Sequence, residues 1–264
     1  MSNLAAVTRA VSPRMAACQL THIPRVPIDV DLAADQHTRY EQTLERLGCQ
    51  IHRLPAGEDM PDSVFVEDTA VVLDEISIIM RPGAASRRAE TAAVEEWLKH
   101  RTRLGRIEPP ATMDGGDVMV VGRSIFVGAS SRTNHAALEQ FRAIVEYFGY
   151  AMTVIAVRGC LHLKSALSVA GEHTLLVNPR WVPADQFAAY DLIAVDPEEP
   201  MAANVVRVHD DLVYSAAYPR TLERLVNAGA RVTTVDVSEL AKAEGAVTCC
   251  SLIMNVPRPY GSET

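Results

Sequence analysis

A cysteine pair, one histidine and three acidic positions hold the reactive side chains of this sequence. Cys249 and Cys250 stand side by side in "GAVTCCSL", His162 sits in "CLHLKS", Asp114 opens "DGGD", and Glu67-Asp68 interrupt the apolar run "SVFVEDTAVV". A thiol, an imidazole and carboxylates are the parts of nucleophilic catalysis at an electrophilic carbon, provided the fold brings them within reach of one another. The thiolate is the nucleophile, and a cysteine with an ordinary pKa of about 8.5 is mostly thiol at neutral pH. Apart from one another, these residues read differently. A free cysteine is usually a small buried hydrophobe, and a histidine between leucines is usually a core residue. Acids within an apolar run need a partner, and a cationic ligand would supply one. Neighbours in a strand point to opposite faces, so Cys249 and Cys250 cannot both face one site, and Cys250 reads as packing.

The elements that must position these residues form a repeat. Four times the chain runs from a polar head through a strand, a tight turn, a second strand and a small-residue loop, usually into a helix. The turns are Asp74-Glu75, Gly122-Arg123, Gly171-Glu172 and Asp210-Asp211. They predict hairpins, with strands near 69–73 and 76–80 in the first and 118–121 and 124–127 in the second. Leu138, Phe141, Val145 and Phe148 recur at helical spacing, as do Leu222 and Leu225. Apolar strands "TVIAV", "LIAV" and "VTTVDV" close later units. The heads fall at Glu67, Asp114, His162, Asn204 and, by extrapolation, Cys249, at spacings of 47, 48, 42 and 45 residues. A period in this range marks a repeat architecture. The fifth unit would join "TCCSLIMNV" to the N-terminal segment, with a helix near 31–48 and the strand "CQIHRLP". A closed ring leaves few exposed edges, and it turns the head of every inner strand toward one central mouth. Asn204 reads as a residue that satisfies loop backbone.

Composition bounds the function. The 264 residues carry a net charge of −8 with 48% hydrophobic and 22% charged residues, ordinary for a globular protein. An acidic chain without a basic run argues against nucleic-acid or anionic-membrane partners. No stretch approaches the ~20 apolar residues that span a bilayer, and the first thirty residues lack a continuous apolar core, so a cytoplasmic protein is expected. Five cysteines, odd in number and without a CxxC pair, suggest free thiols rather than disulfides or a zinc ribbon. There is no GxGxxG and no P-loop lysine, so no nucleotide cofactor is expected.

The segments "DSVFVEDTAVV", "RPGAASRRAE", "DGGDVMVVG", "FVGASSRTN", "LHLKSALS", "AAN" and "GAVTCCSL" resemble, in type and in order, those of the dimethylarginine dimethylaminohydrolases. These belong to the guanidino-group-modifying branch of the pentein superfamily. The resemblance runs from about Pro61 to the end. It implies one catalytic domain over 1–264 with the pentein fold, a five-bladed pseudo-symmetric α/β propeller of ββαβ repeats. It also implies roles. Cys249 matches the nucleophile, His162 the general acid/base and Asp114 the carboxylate that orients the histidine, a position held by Glu in some bacterial relatives. Asp68 matches the grip on the guanidinium, with Glu67 in support. Arg87 and Arg132 match the pair on the substrate α-carboxylate, and Asp62 and the backbone carbonyl near Ala243 match contacts to its amino group. Leu20, in "CQLTHIP", falls where the family has a mobile lid.

The implied reaction is C–N hydrolysis of a linear amidine. Nω-methylated arginine would give citrulline and methylamine or dimethylamine through a thiouronium on Cys249, with no metal and no cofactor. A guanidinium carbon is a poor electrophile, and carboxylates that pin its N–H groups would present it face-on to the thiolate. The same residues would serve an arginine deiminase, another guanidine hydrolase or an amidinotransferase, although deiminases usually carry an inserted helical domain that is not evident here. A non-catalytic pentein that binds macromolecules would need the ring but not the site residues. The partner implied is a small arginine derivative, and relatives occur as monomers and homodimers.

Overall fold

The computed structural model describes residues 4–255, which build five three-stranded sheets. In inner, middle and outer order the first blade holds Ala70–Val72, Ser77–Ile79 and Leu104–Arg106, and the second Val118–Val121, Ser124–Ala129 and Ala151–Ala156. The third holds Leu167–Val169, Thr174–Val177 and Asp191–Ala194, and the fourth Val205–Val208, Asp211–Ser215 and Arg231–Val235. The fifth joins the two ends of the chain: Leu252–Asn255 pairs with Leu4–Arg9, which pairs with Cys49–Leu54. In every blade the middle strand is antiparallel to the inner and parallel to the outer one. The inner strands surround a central cavity of about 510 Å³, to which all five contribute side chains. The closed ring expected from the repeat, and the five-bladed α/β propeller that the resemblance implies, is the architecture found.

A parallel pair needs a crossover connection. Helices Val30–Arg46, Thr91–Leu98, His135–Tyr147 and Pro219–Asn227 supply it in four blades, whereas the third crosses through a single 3₁₀ turn, Ala184–Phe187. Asp29 and Asn134 cap two of these helices by accepting the N–H groups of Leu32 and Ala137, each at 3.0 Å, contacts worth about 1 kcal/mol apiece. Phe141, Val145 and Leu225 are fully buried, while Leu138, Phe148 and Leu222 pack at the edges of the same clusters. Among the described residues no helix is long and apolar enough to cross a membrane.

The heads depart from expectation in one respect. Only Asn204 directly precedes its inner strand, Val205–Val208; at the other heads a short turn intervenes. Glu67 and Asp68 lie in the 3₁₀ turn Val66–Thr69, Asp114 precedes the turn Gly115–Asp117, and His162 precedes the one-turn helix Leu163–Ala166. Cys249 and Cys250 fall in the turn Thr248–Cys250, so the strand argument that separated them does not apply; the inner strand begins only at Leu252. A 3₁₀ turn rotates successive side chains by about 120°, which separates the two thiols as well as a strand would. Val256, the last residue of the predicted run, lies outside the described residues.

Candidate active site

The turns that lead into the inner strands meet at one end of the ring and are bonded to one another. Gly116 N–H donates to Asp68 Oδ1 at 3.1 Å and Leu163 N–H to Asp117 Oδ1 at 3.1 Å. Asn204 Nδ2 donates to the Lys164 carbonyl at 2.8 Å and to Thr248 Oγ1 at 2.9 Å, and Thr248 Oγ1 donates to Glu67 Oε2 at 2.8 Å. Lys164 Nζ reaches Glu67 Oε1 at 2.7 Å. The glycines of "DGGD" permit this approach. A Cβ at Gly115 would lie 2.0 Å from the Glu67 carbonyl oxygen, and one at Gly116 would lie 2.7 Å from His162 Nδ1.

Between these turns and the segment 18–23 lies a narrow cleft with about 20 Å³ of free volume. Asp62, Asp68, Arg87, Arg132, His162, Ala243 and Cys249 all line it. His162 Nε2 is 2.9 Å from Asp114 Oδ2, which leaves Nδ1 toward the cleft, 3.8 Å from Asp68 Oδ1. Burial opposes the charged imidazole, but Asp68, Asp114 and Asp117 outweigh it and lift His162 to about 9. Burial also works against ionised Asp68, yet His162 and Arg87 draw it down to about 2. Burial, with the charges of Glu67 and Asp68 behind it, pushes the Cys249 thiol well above its ordinary range. The resting site therefore pairs an imidazolium with a protonated thiol.

Each expected residue has a definite place. Asp114 stands behind His162 as an orienting carboxylate, fully buried. Asp62 accepts the Gln19 N–H at 3.0 Å. Arg132 Nη2 donates to Thr21 Oγ1 at 3.0 Å. Arg87 is largely committed within the protein: Nη1 lies 2.5 Å from Asp68 Oδ2, Nε and Nη2 reach Glu90 Oε2 at 3.0 and 2.8 Å, and Nη2 also donates to the Phe65 carbonyl at 3.1 Å. Glu67 faces the central cavity rather than the cleft, with both carboxylate oxygens bonded to Lys164 and Thr248. Leu20 packs against the core cluster around Cys249 and Cys250, and of its segment it is Gln19 that lines the cleft. Cys250 is fully buried, its Sγ 3.5 Å from the Ala246 carbonyl. Asn204 does satisfy backbone, at Lys164 and Thr248.

Three residues escaped the sequence reading. Asp117, the last acid of "DGGD", accepts from Ser130 Oγ at 2.5 Å, Thr133 Oγ1 at 2.6 Å and Leu163 N at 3.1 Å, tying the Arg132 loop to the His162 turn. Burial raises it to about 6. Its spacing from His162 is that of Asp114 within a few residues, the only signal available. Glu90 is buried against Arg87, and burial raises it to about 7. Glu244 lines the cleft beside Ala243. Asp68, Asp114 and His162 offer ligand atoms within 4.8 Å of one another. Arg87 Nη1 pairs with the Asp68 carboxylate of this group at 2.5 Å.

The chain matches the family described as eukaryotic N,N-dimethylarginine dimethylhydrolase over residues 26–256. It is 38% identical to the N(G),N(G)-dimethylarginine dimethylaminohydrolase of Pseudomonas aeruginosa over 226 residues, covering 85% of this chain and 89% of that one. It is also 38% identical over 257 residues to the protein of the same name from Streptomyces coelicolor, covering 96% and 97%. A solved structure of the Pseudomonas aeruginosa protein, a cysteine-to-serine mutant complexed with citrulline, superposes with a TM-score of 0.92 at 35% identity, covering 96% of this chain and all of that one. The N-terminal domain of the cyanobacterial arginine dihydrolase ArgZ shares the fold at a TM-score of 0.86 and 17% identity, covering 95% and 97%.

Proposed function

The chain belongs to the dimethylarginine dimethylaminohydrolase family, and on that premise we propose that it hydrolyses Nω-methylated arginine to citrulline with Cys249 as nucleophile. The observation that carries this reading is the meeting of Cys249, His162 and Asp68 in one cleft, with Asp114 holding the far side of the imidazole. Asp68 keeps lone pairs beyond those used by Arg87 and Gly116, and these accept N–H groups of the substrate guanidinium. The substrate cation offsets the carboxylates that hold the thiol protonated, and the Cys249 proton leaves to solvent. Sγ attacks the guanidinium carbon and forms the C–S bond. His162, already an imidazolium, gives its Nδ1 proton to the departing methylamine or dimethylamine as the C–N bond breaks. Neutral His162 then takes a proton from water, whose oxygen attacks the thiouronium carbon. As the C–S bond breaks, the hydroxyl proton passes to the departing sulfur, which restores the Cys249 thiol, and citrulline leaves.

Arg132 and the remaining Nη1 hydrogen of Arg87 receive the α-carboxylate, while Asp62 and the Ala243 carbonyl receive the amino group. We place the enzyme in the cytoplasm as one catalytic unit over 1–264, a monomer or homodimer acting on a small molecule without metal or cofactor. Five free cysteines support a reducing compartment. The test is citrulline formation by the purified protein from asymmetric dimethylarginine and from arginine, with Cys249→Ser and Cys250→Ser in parallel. Citrulline from the methylated substrate, abolished in Cys249→Ser and kept in Cys250→Ser, is expected. Citrulline from arginine alone would make it a deiminase, and activity lost only in Cys250→Ser would overturn the nucleophile.

A further inference from the structure

The segment 18–23 closes the cleft through contacts of two kinds. Asp62 accepts the Gln19 N–H, and Arg132 donates to Thr21 Oγ1. Both are groups that the reading above assigns to the substrate's amino and carboxylate ends, so substrate competes for them. Gln19 Nε2 also donates to Ser86 Oγ at 3.1 Å on the exposed side. The contact at the other end of the segment is different. The Glu244 carboxylate accepts three successive backbone N–H groups, those of Thr21 at 2.6 Å, His22 at 2.5 Å and Ile23 at 3.2 Å. Successive N–H groups that converge in this way form an anion-binding concavity, here filled by the protein's own charge from a residue more than two hundred positions along the chain. Bonds to an ionised acceptor are the strong class of hydrogen bond.

The backbone of Glu244 is left-handed, with φ of +59°. Glycine or asparagine would adopt that conformation at less cost, yet neither could span the gap as a carboxylate of this length does. Glu244 also sits between Ala243 and Gly245 on the segment that leads to Cys249, and all four residues line the cleft. With the segment down, about 20 Å³ remains. That holds roughly one water, whereas ligand pockets run to about 300 Å³ or more. Admitting an arginine therefore requires the segment to lift.

We propose that Glu244 is the latch of this lid, a positioning residue that holds 18–23 down over bound substrate by contacts no substrate group can replace. The proposal rests on the reading of the cleft as the substrate site. Glu244→Asn keeps a residue that tolerates the left-handed backbone and withdraws the carboxylate. Glu244→Gln keeps length and one acceptor oxygen while removing the charge. The expected result for Glu244→Asn is a fall in kcat/KM of roughly tenfold or more, carried by KM, tenfold being the size of losing one of its three charge-assisted hydrogen bonds. In the substrate-free protein, alkylation of Cys249 by iodoacetamide should rise about tenfold, and the amides of residues 19–23, Gln19 included, should exchange with deuterium faster. Glu244→Gln should fall between wild type and Glu244→Asn in each measurement. A KM and a Cys249 alkylation rate within twofold of wild type in both variants would overturn the latch. So would a loss carried by kcat with no change in alkylation, which marks a purely structural residue. If the wild type itself turns over no guanidine substrate, the reaction assigned above fails. The alkylation and exchange measurements still judge the latch.

Discussion

Between pH 6.5 and 9.5 the folded chain should lose about 3 kcal/mol of stability through His162 alone. The imidazole is 4% exposed, and Asp68, Asp114 and Asp117 prevail over its burial to raise it from 6.5 to about 9. A group whose folded pKa lies above its unfolded value stabilises the fold fully below the unfolded pKa, and that contribution disappears as pH rises through the folded one. Moving the imidazole from 6.5 to about 9, at 1.36 kcal/mol per pH unit, gives about 3 kcal/mol. In a chain of this size that is about 6–12 °C in Tm. The assay is denaturant unfolding at pH 6, 7.5 and 9.5 for wild type and for His162→Gln. Glu90, raised to about 7, titrates in both proteins, whereas Asp117, at about 6 beside the imidazolium, is raised further in the variant, so the histidine is read from the difference between pH 7.5 and 9.5. Wild type should fall toward the variant as pH climbs, with most of the change between 7.5 and 9.5. Curves that stay parallel would refute the imidazolium, and with it the proton that His162 is meant to give to the leaving amine.

Two further outcomes follow from the same geometry. Asp117→Asn leaves one acceptor oxygen for Ser130, Thr133 and Leu163, and an unsatisfied buried group costs about 1–3 kcal/mol. Citrulline formation should drop at least tenfold with a lowered Tm, and unimpaired turnover would show that the tie between the Arg132 loop and the His162 turn is dispensable. In substrate-free wild type, Cys249 alkylation should keep climbing through pH 9, because burial, Glu67 and Asp68 all disfavour the thiolate. Removing one of those charges in Asp68→Asn should speed alkylation at pH 7 about tenfold, one pKa unit, while abolishing citrulline formation. A wild-type plateau below pH 8 would show a thiolate already formed.

The ring was legible because its signals are local and repeated. Two-residue polar turns between β-branched runs mark each hairpin, and the observed strands 70–72 and 77–79 sit within the predicted 69–73 and 76–80. The helix near 31–48 is Val30–Arg46, set by its Asp29 cap. Turns of three or four residues leave no such trace, since they are too short to show a period, so the heads were read as strand residues. The third crossover also lacks a helix, and the short spacing of its unit, 42 residues against 45 to 48 elsewhere, is the one trace of that in the sequence. Side-chain commitments were harder still. Arg87 and Arg88 look alike in "SRRAE", but only Arg87 is buried between Asp68 and Glu90, while Arg88 bonds the Pro82 carbonyl. That distinction depends on which way a 3₁₀ turn faces. Glu244 lies more than two hundred residues from the segment it holds, and a contact that distant is invisible to any local pattern.

The charges gathered at the mouth explain why this site would await a cation. Asp62, Glu67, Asp68, Glu90, Asp114 and Asp117 are all buried around it, against Arg87, Arg132, Lys164 and the His162 imidazolium. At formal charges that is six against four, an excess of two negatives (6 − 4). The protein relieves part of it at Glu90, which burial raises to about 7; burial raises Asp62 and Asp117 as well, the latter to about 6. A thiolate at Cys249 would deepen the deficit, which is why the thiol holds its proton. A guanidinium bound at Asp68 removes one unit of the excess beside the sulfur, at the moment the nucleophile is needed. An anionic or neutral ligand of the same shape would leave the thiol protonated. Discrimination for cations would then arise in the activation of Cys249 as much as in binding, so an uncharged analogue such as citrulline should occupy the cleft without accelerating alkylation of the sulfur.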